Sequence, residues 1–134
     1  MKIISTLAFL PVVAFGCATV SPIPEGAEPL TNEEITETFS GVRESYRGKD
    51  IPGMKATGIF NANGKFEASW SVGSQSGVAN GEWYSENGKR CLRDKNPNGD
   101  TNLECVEFFR TGDSYTSVNE DGSIHGFHTL TPLE

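Results

Sequence analysis

The stretch that decides the fold reads Gly81-Glu82-Trp83-Tyr84-Ser85-Glu86-Asn87-Gly88-Lys89-Arg90-Cys91 and, after a polar loop, Leu103-Glu104-Cys105-Val106-Glu107-Phe108-Phe109. Two strand-like runs carry one cysteine each. Asn87-Gly88 favours a hairpin turn, because both residues tolerate positive φ. The same punctuation recurs at Asn63-Gly64, Asn98-Gly99 and Asp121-Gly122. Between these turns lie the runs 42–46, 54–62, 65–72, 78–85, 89–93, 103–110, 114–119 and 123–130. In 65–72 the alternation is clean: Phe66, Ala68, Trp70 and Val72 share one face, and Lys65, Glu67, Ser69 and Ser71 the other. That is a half-buried antiparallel strand. Consecutive hairpins make a meander, and a meander of this length curls to remove its edges. The expectation is a mainly β domain. Its seven or eight antiparallel strands close into a small barrel or half-barrel, with one short N-terminal helix.

That helix begins at Thr31. Thr31-Asn32-Glu33-Glu34 is a capping box, Leu30 can staple onto Ile35, and Glu33 and Glu34 suit the positive end of the dipole. Ile35 and Phe39 share a face, and Gly41 offers a left-handed stop. About two turns cannot stand alone, so this helix must pack on one end of the sheet.

The organisation before Thr31 is different. Residues 1–17 read as an export signal: Lys2, an apolar run from Ile3 to Phe15 too short to span a bilayer, then small residues. Gly16-Cys17 resembles a bacterial lipoprotein signal, which implies lipidation of Cys17; ordinary cleavage after Ala18 is the alternative. Residues 18–30 hold three prolines and form a linker. Residues 31–134 are the single folded domain, located by this reading in the periplasm or, through a lipid, on the outer membrane.

Three cysteines leave an odd one in an exported chain. Lipidation or loss of Cys17 leaves Cys91 and Cys105 to form a disulfide, which closes a loop of about 15 residues. The chain carries a net charge of −7, and removing the signal takes away only one basic residue, Lys2. A nucleic-acid partner is not expected, since no basic patch appears. Contact with a membrane is expected only through the lipid.

Candidate chemistry is sparse. Asp94, Asn96, Asn98, Asp100 and Glu104 resemble part of an EF-hand calcium loop, with Gly99 sixth, but Cys105 stands where the closing glutamate belongs. A solvated turn explains the same residues. His125 and His128 fall on opposite faces of a regular strand, with His128 sharing its side with Ile124 and Leu130. Trp70, Trp83, Tyr84, Tyr115 and His128 are candidates to line a ligand pocket at a barrel mouth, although aromatic residues also serve as core. No Gly-x-Ser-x-Gly elbow or phosphate loop is present. No cofactor is expected, calcium aside.

Gly81-x-Trp83, the cysteines 91 and 105 and the Asp121-Gly122 hairpin resemble a group of small exported proteobacterial proteins of unknown function. The resemblance covers 31–134 and implies a lipocalin- or avidin-like meander. The functional expectation is a non-enzymatic cell-envelope protein that binds a small apolar ligand or a protein partner, an inhibitor role included. The alternatives are a calcium-stabilised module and a small hydrolase using carboxylates or His128.

Overall fold

The computed structural model describes residues 23–133. The export signal, Cys17 and the start of the linker lie outside the described residues. Helix α1 (Asn32–Phe39) precedes eight strands: β1 (Val42–Gly48), β2 (Lys55–Phe60), β3 (Lys65–Val72), β4 (Gln75–Glu86), β5 (Lys89–Lys95), β6 (Thr101–Thr111), β7 (Ser114–Val118) and β8 (Ile124–Pro132). Each strand pairs antiparallel with the next, and β8 closes on β1, so the sheet is a complete barrel.

The turns explain the closure. At Asn87-Gly88 both residues have positive φ, 53° and 72°, in the two-residue turn expected there. The other three dipeptides build a longer turn in which only the glycine is left-handed. The amides of Gly64, Gly99 and Gly122 return to the carbonyls of Asn61, Asn96 and Asn119, three residues earlier. In each, the Asn63, Asn98 or Asp121 side chain accepts the amide two residues on. One device is thus used three times: a type I turn closed by a left-handed glycine, which keeps the strands' right-handed twist. β4 starts earlier than the sequence suggests. Gly73 and Ser74 turn the chain, and Gln75, Ser76 and Gly77 already pair with β3.

Helix α1 plugs one end. The capping box forms, with the Glu34 amide donating to Thr31 Oγ1 at 3.2 Å and the Thr31 amide to Glu34 Oε1 at 3.1 Å. Ile35 and Phe39 are fully buried. Phe39 packs on Phe108, Phe60 and Tyr115, with ring centroids 4.7, 6.0 and 6.3 Å away. Leu30 joins this cluster with Phe66, Trp83 and Val106, and its amide donates to the Phe108 carbonyl. The linker therefore ends in the core rather than before it.

Cys91 and Cys105 stand directly opposite each other on β5 and β6 and are bonded. Alternation along β5 puts them on the face opposite Arg90 and Leu92, outside the barrel. The bond points to an oxidising compartment.

Because it closes a loop of about 15 residues, we expect the Cys91→Ser, Cys105→Ser double variant to lose about 3 kcal/mol of stability in urea unfolding. The m-value should change as residual structure in the unfolded chain is released, while the far-ultraviolet spectrum stays the same.

Candidate functional site

Alternation along the strands sends three kinds of residue inward. Towards the helix end are the aromatic rings of the core. At mid-height are charges. Towards the other end, β2, β3 and β4 present small residues, Ala56, Gly58, Ala68 and Ala79. Where small residues face inward an eight-stranded barrel no longer fills itself. A cavity of about 260 Å³ opens there, lined also by Met54, Trp70 and Leu92 and edged by Asp94, Asn102, Glu104 and His125. The Trp70 ring lies flat against Gly77, where any added Cβ would come within 2.6 Å of it.

The floor of the cavity is a buried ion pair. Arg90 donates from Nη1 to Glu44 Oε2 at 2.7 Å and from Nη2 to Oε1 at 3.4 Å, and both side chains are almost wholly buried. The guanidinium carbon lies 4.4 Å from the Phe39 and Phe60 ring centres and 4.7 Å from that of Phe108. Three ring faces and a bidentate carboxylate together offset the cost of burying this charge. Burial would raise the Glu44 carboxyl, but the Arg90 charge, and then His128, outweigh it and hold it at about 2.

His128 continues the network. Its Nε2 lies 2.6 Å from Ser117 Oγ. Its Nδ1 is 3.1 Å from Glu44 Oε2, near enough for an electrostatic contact but out of line for a hydrogen bond. Burial holds this imidazole below its usual range despite Glu44.

At the rim stands His125. Its Nδ1 meets Asp50 Oδ2 at 2.9 Å and its Nε2 meets Glu104 Oε1 at 3.2 Å. Burial would lower it, yet the Glu104 and Asp50 carboxylates win and raise it. Tyr46 packs between the two histidines, 5.5 Å from His125 and 4.9 Å from His128, and donates to the His125 carbonyl. Burial and the Asp50, Glu104 and Glu44 carboxylates all raise its phenol.

The expectation that the histidines face opposite sides is corrected here. Both border the cavity. β7 pairs Ser117 with Gly126 and Val118 with Ile124, so His125 is the extra residue of a bulge, and a bulge re-aims its side chain.

Of the proposed pocket residues, Trp70 and His128 line the cavity. Trp83 belongs to the plugged end, where its Nε1 donates to the Asn61 carbonyl at 2.8 Å. Tyr84 pairs with Cys91 on the outer face, and Arg93 lies over its ring. Tyr115 packs on Phe39. The five calcium candidates are not brought together. Asp94 turns inward and accepts from Asn102, Glu104 is taken by His125, and Asn98 accepts from the Asp100 amide within its turn. Among the described residues no three His, Cys, Asp or Glu side chains gather as a metal group. Sequence reasoning missed Glu44, Tyr46 and Arg90. Their signal was parity: Glu44 and Tyr46 share a face with Val42, and Arg90 shares one with Leu92.

A family model described as a protein of unknown function (DUF995) matches residues 7–130, and the chain belongs to that family. No curated protein and no solved structure matches it.

Two outcomes test this chemistry. Because Glu44 is ionised far below its unfolded value of 4.5, its contribution is complete above that pH and fades as pH falls towards 2. We expect Glu44→Gln, which leaves Arg90 buried without its counter-charge, to lose about 3–5 kcal/mol in urea at pH 7. The gap from the parent should narrow at pH 3; an equal gap at both pH values would contradict the pairing. By NMR titration His125 should deprotonate above the ordinary histidine value, and Glu104→Gln should lower that midpoint.

Proposed function

We propose that this protein is a non-enzymatic binding module of the cell envelope that takes a small, mainly apolar molecule into the open half of its barrel. The observation that carries this reading is the cavity itself: a wall of Ala56, Gly58, Ala68 and Ala79 with Trp70 and Leu92 beside it, above a polar floor. Apolar concavities with a few placed polar groups are the usual form of small-ligand sites. The disulfide suits an oxidising compartment, in keeping with export through residues 1–17 and with a lipid on Cys17. The stretch 18–30 would then hold the barrel away from the membrane.

A hydrolase built on His128 has one observation in its favour. Ser117, His128 and Glu44 stand in the order of a Ser–His–carboxylate relay. Ser117, however, has no exposed surface and does not border the cavity. A substrate carbonyl has no route to its hydroxyl. The chain of contacts fits better as a brace between β1, β7 and β8.

The test is titration of the purified protein with N-phenyl-1-naphthylamine, a neutral apolar dye that brightens when it leaves water. We expect saturable binding at one site, accompanied by a change in Trp70 emission. Ala68→Leu should fill the space and weaken binding by at least about tenfold, equal to 1.4 kcal/mol. Dye binding that Ala68→Leu leaves unchanged would sink the cavity reading.

A further inference from the structure

The charges around the cavity say what kind of guest it takes. We propose that the ligand is an amphiphile carrying a positively charged group, such as an ammonium, seated at the mouth against Asp94 and Glu104, with its apolar part over the small-residue wall. This deepens the binding reading above and rests on it.

Three carboxylates border the cavity, Glu44, Asp94 and Glu104, against one permanent cation, Arg90. Arg90 is already engaged, with both terminal nitrogens on Glu44. It is therefore not free to bind a carboxylate guest, as an unpaired buried arginine would be. The remaining fixed charge is that of Asp94 and Glu104. On β5 and β6, Asp94 pairs with Asn102 and Leu92 with Glu104, so the two carboxylates stand diagonally across adjoining strands on the inner face. Each has one oxygen engaged, Asp94 Oδ1 by Asn102 and Glu104 Oε1 by His125. Their second oxygens have no partner among the described residues and remain for another donor. His125, even when protonated, is shared between Glu104 and Asp50 and does not reverse the sign. The chain's charge of −7 adds to it, and a cleft with apolar walls focuses such a field. Trp70 brings an aromatic ring, a group that attracts cations, to the same cavity.

The floor does not alter this sign. Arg90 Nε and His128 Nδ1 belong to cavity-lining side chains but are themselves buried, with no surface for a guest to touch, and His128 Nδ1 already has Glu44 Oε2 3.1 Å away. The fixed charge that a guest meets is that of Asp94 and Glu104, which turns an anionic head away at the rim.

The experiment is displacement of N-phenyl-1-naphthylamine by three probes of equal chain length, octylamine, octanol and octanoate, at pH 7.5. Octylamine is expected to displace the dye at a concentration at least about tenfold below octanol, and octanoate to be the weakest. Raising NaCl to 0.5 M should shrink the advantage of the amine, since the rim is half exposed. The Asp94→Asn, Glu104→Gln variant should bring octylamine to within about twofold of octanol, both probes being compared against the dye affinity measured for that same variant. If octanol or octanoate equals or exceeds octylamine, or if no probe displaces the dye, the charge inference is overturned while the cavity reading stands. If the dye itself binds without regard to Ala68→Leu, the cavity reading has failed.

Discussion

The ion pair between Arg90 and Glu44 is the constraint on which the rest of the barrel depends. It sits between the plugged end and the open end, and it is almost wholly buried. Removing two charges from water costs several kcal/mol per ion, and mutual attraction recovers this only with good geometry. Here the geometry includes a bidentate contact and three aromatic faces. Phe39 comes from the helix, Phe60 from β2, Phe108 from β6, Glu44 from β1 and Arg90 from β5. The charge can be buried only when all five elements are in place. A buried pair is weak as a source of stability, but this one admits few arrangements of the elements around it.

The pair also divides the interior by size. Below it, aromatic rings and α1 fill the barrel. Above it, Ala56, Gly58, Ala68 and Ala79 leave space that the facing residues do not reach across. An eight-stranded barrel is about wide enough for ordinary side chains to fill. The cavity is therefore a product of side-chain choice on β2, β3 and β4, not of strand number. Gly77 serves the same end by letting Trp70 lie flat against the wall instead of across the opening.

Much of the fold was legible in the sequence, because it rests on local rules. The strict alternation in 65–72, the capping box at Thr31, the Asn-Gly and Asp-Gly turns and the cysteine pairing each involve few residues. Barrel closure was legible only as a choice between barrel and half-barrel, since it depends on β1 meeting β8. The turn type was misread at three of four dipeptides. Asn-Gly fits both a two-residue turn and a longer turn with one left-handed residue, and only the pairing of the flanking strands decides. The site was less legible. Sequence patterning treats a charge in a strand as outward-facing, so Glu44 and Arg90 read as surface until their pairing across 46 positions is seen. Aromatic residue type says nothing about depth in the barrel or face of the sheet. Trp83, Tyr84 and Tyr115 are therefore spread over the plug, the outside and the helix contact.

His125 and His128 show how far such local effects reach. They lie three positions apart on one strand and border one cavity, yet their protonation is pushed in opposite directions. The bulge places His125 between Asp50 and Glu104, half-solvated carboxylates with no other ion pair among the described residues, so its charged form is favoured. Its share of stability is complete below the unfolded value of 6.5 and is lost as pH rises through the higher folded value. Among the described residues the one carboxylate against His128 is Glu44, whose charge Arg90 has already met, and burial decides for the neutral ring. Its share is present above 6.5 and declines as pH falls. In a regular strand His125 would point away from the cavity, and the loop carrying Asp50 would lose its tie to β6 and β8. The bulge is thus what gives the rim its charge pattern, with one histidine holding the loop at the mouth while the other keeps the floor neutral.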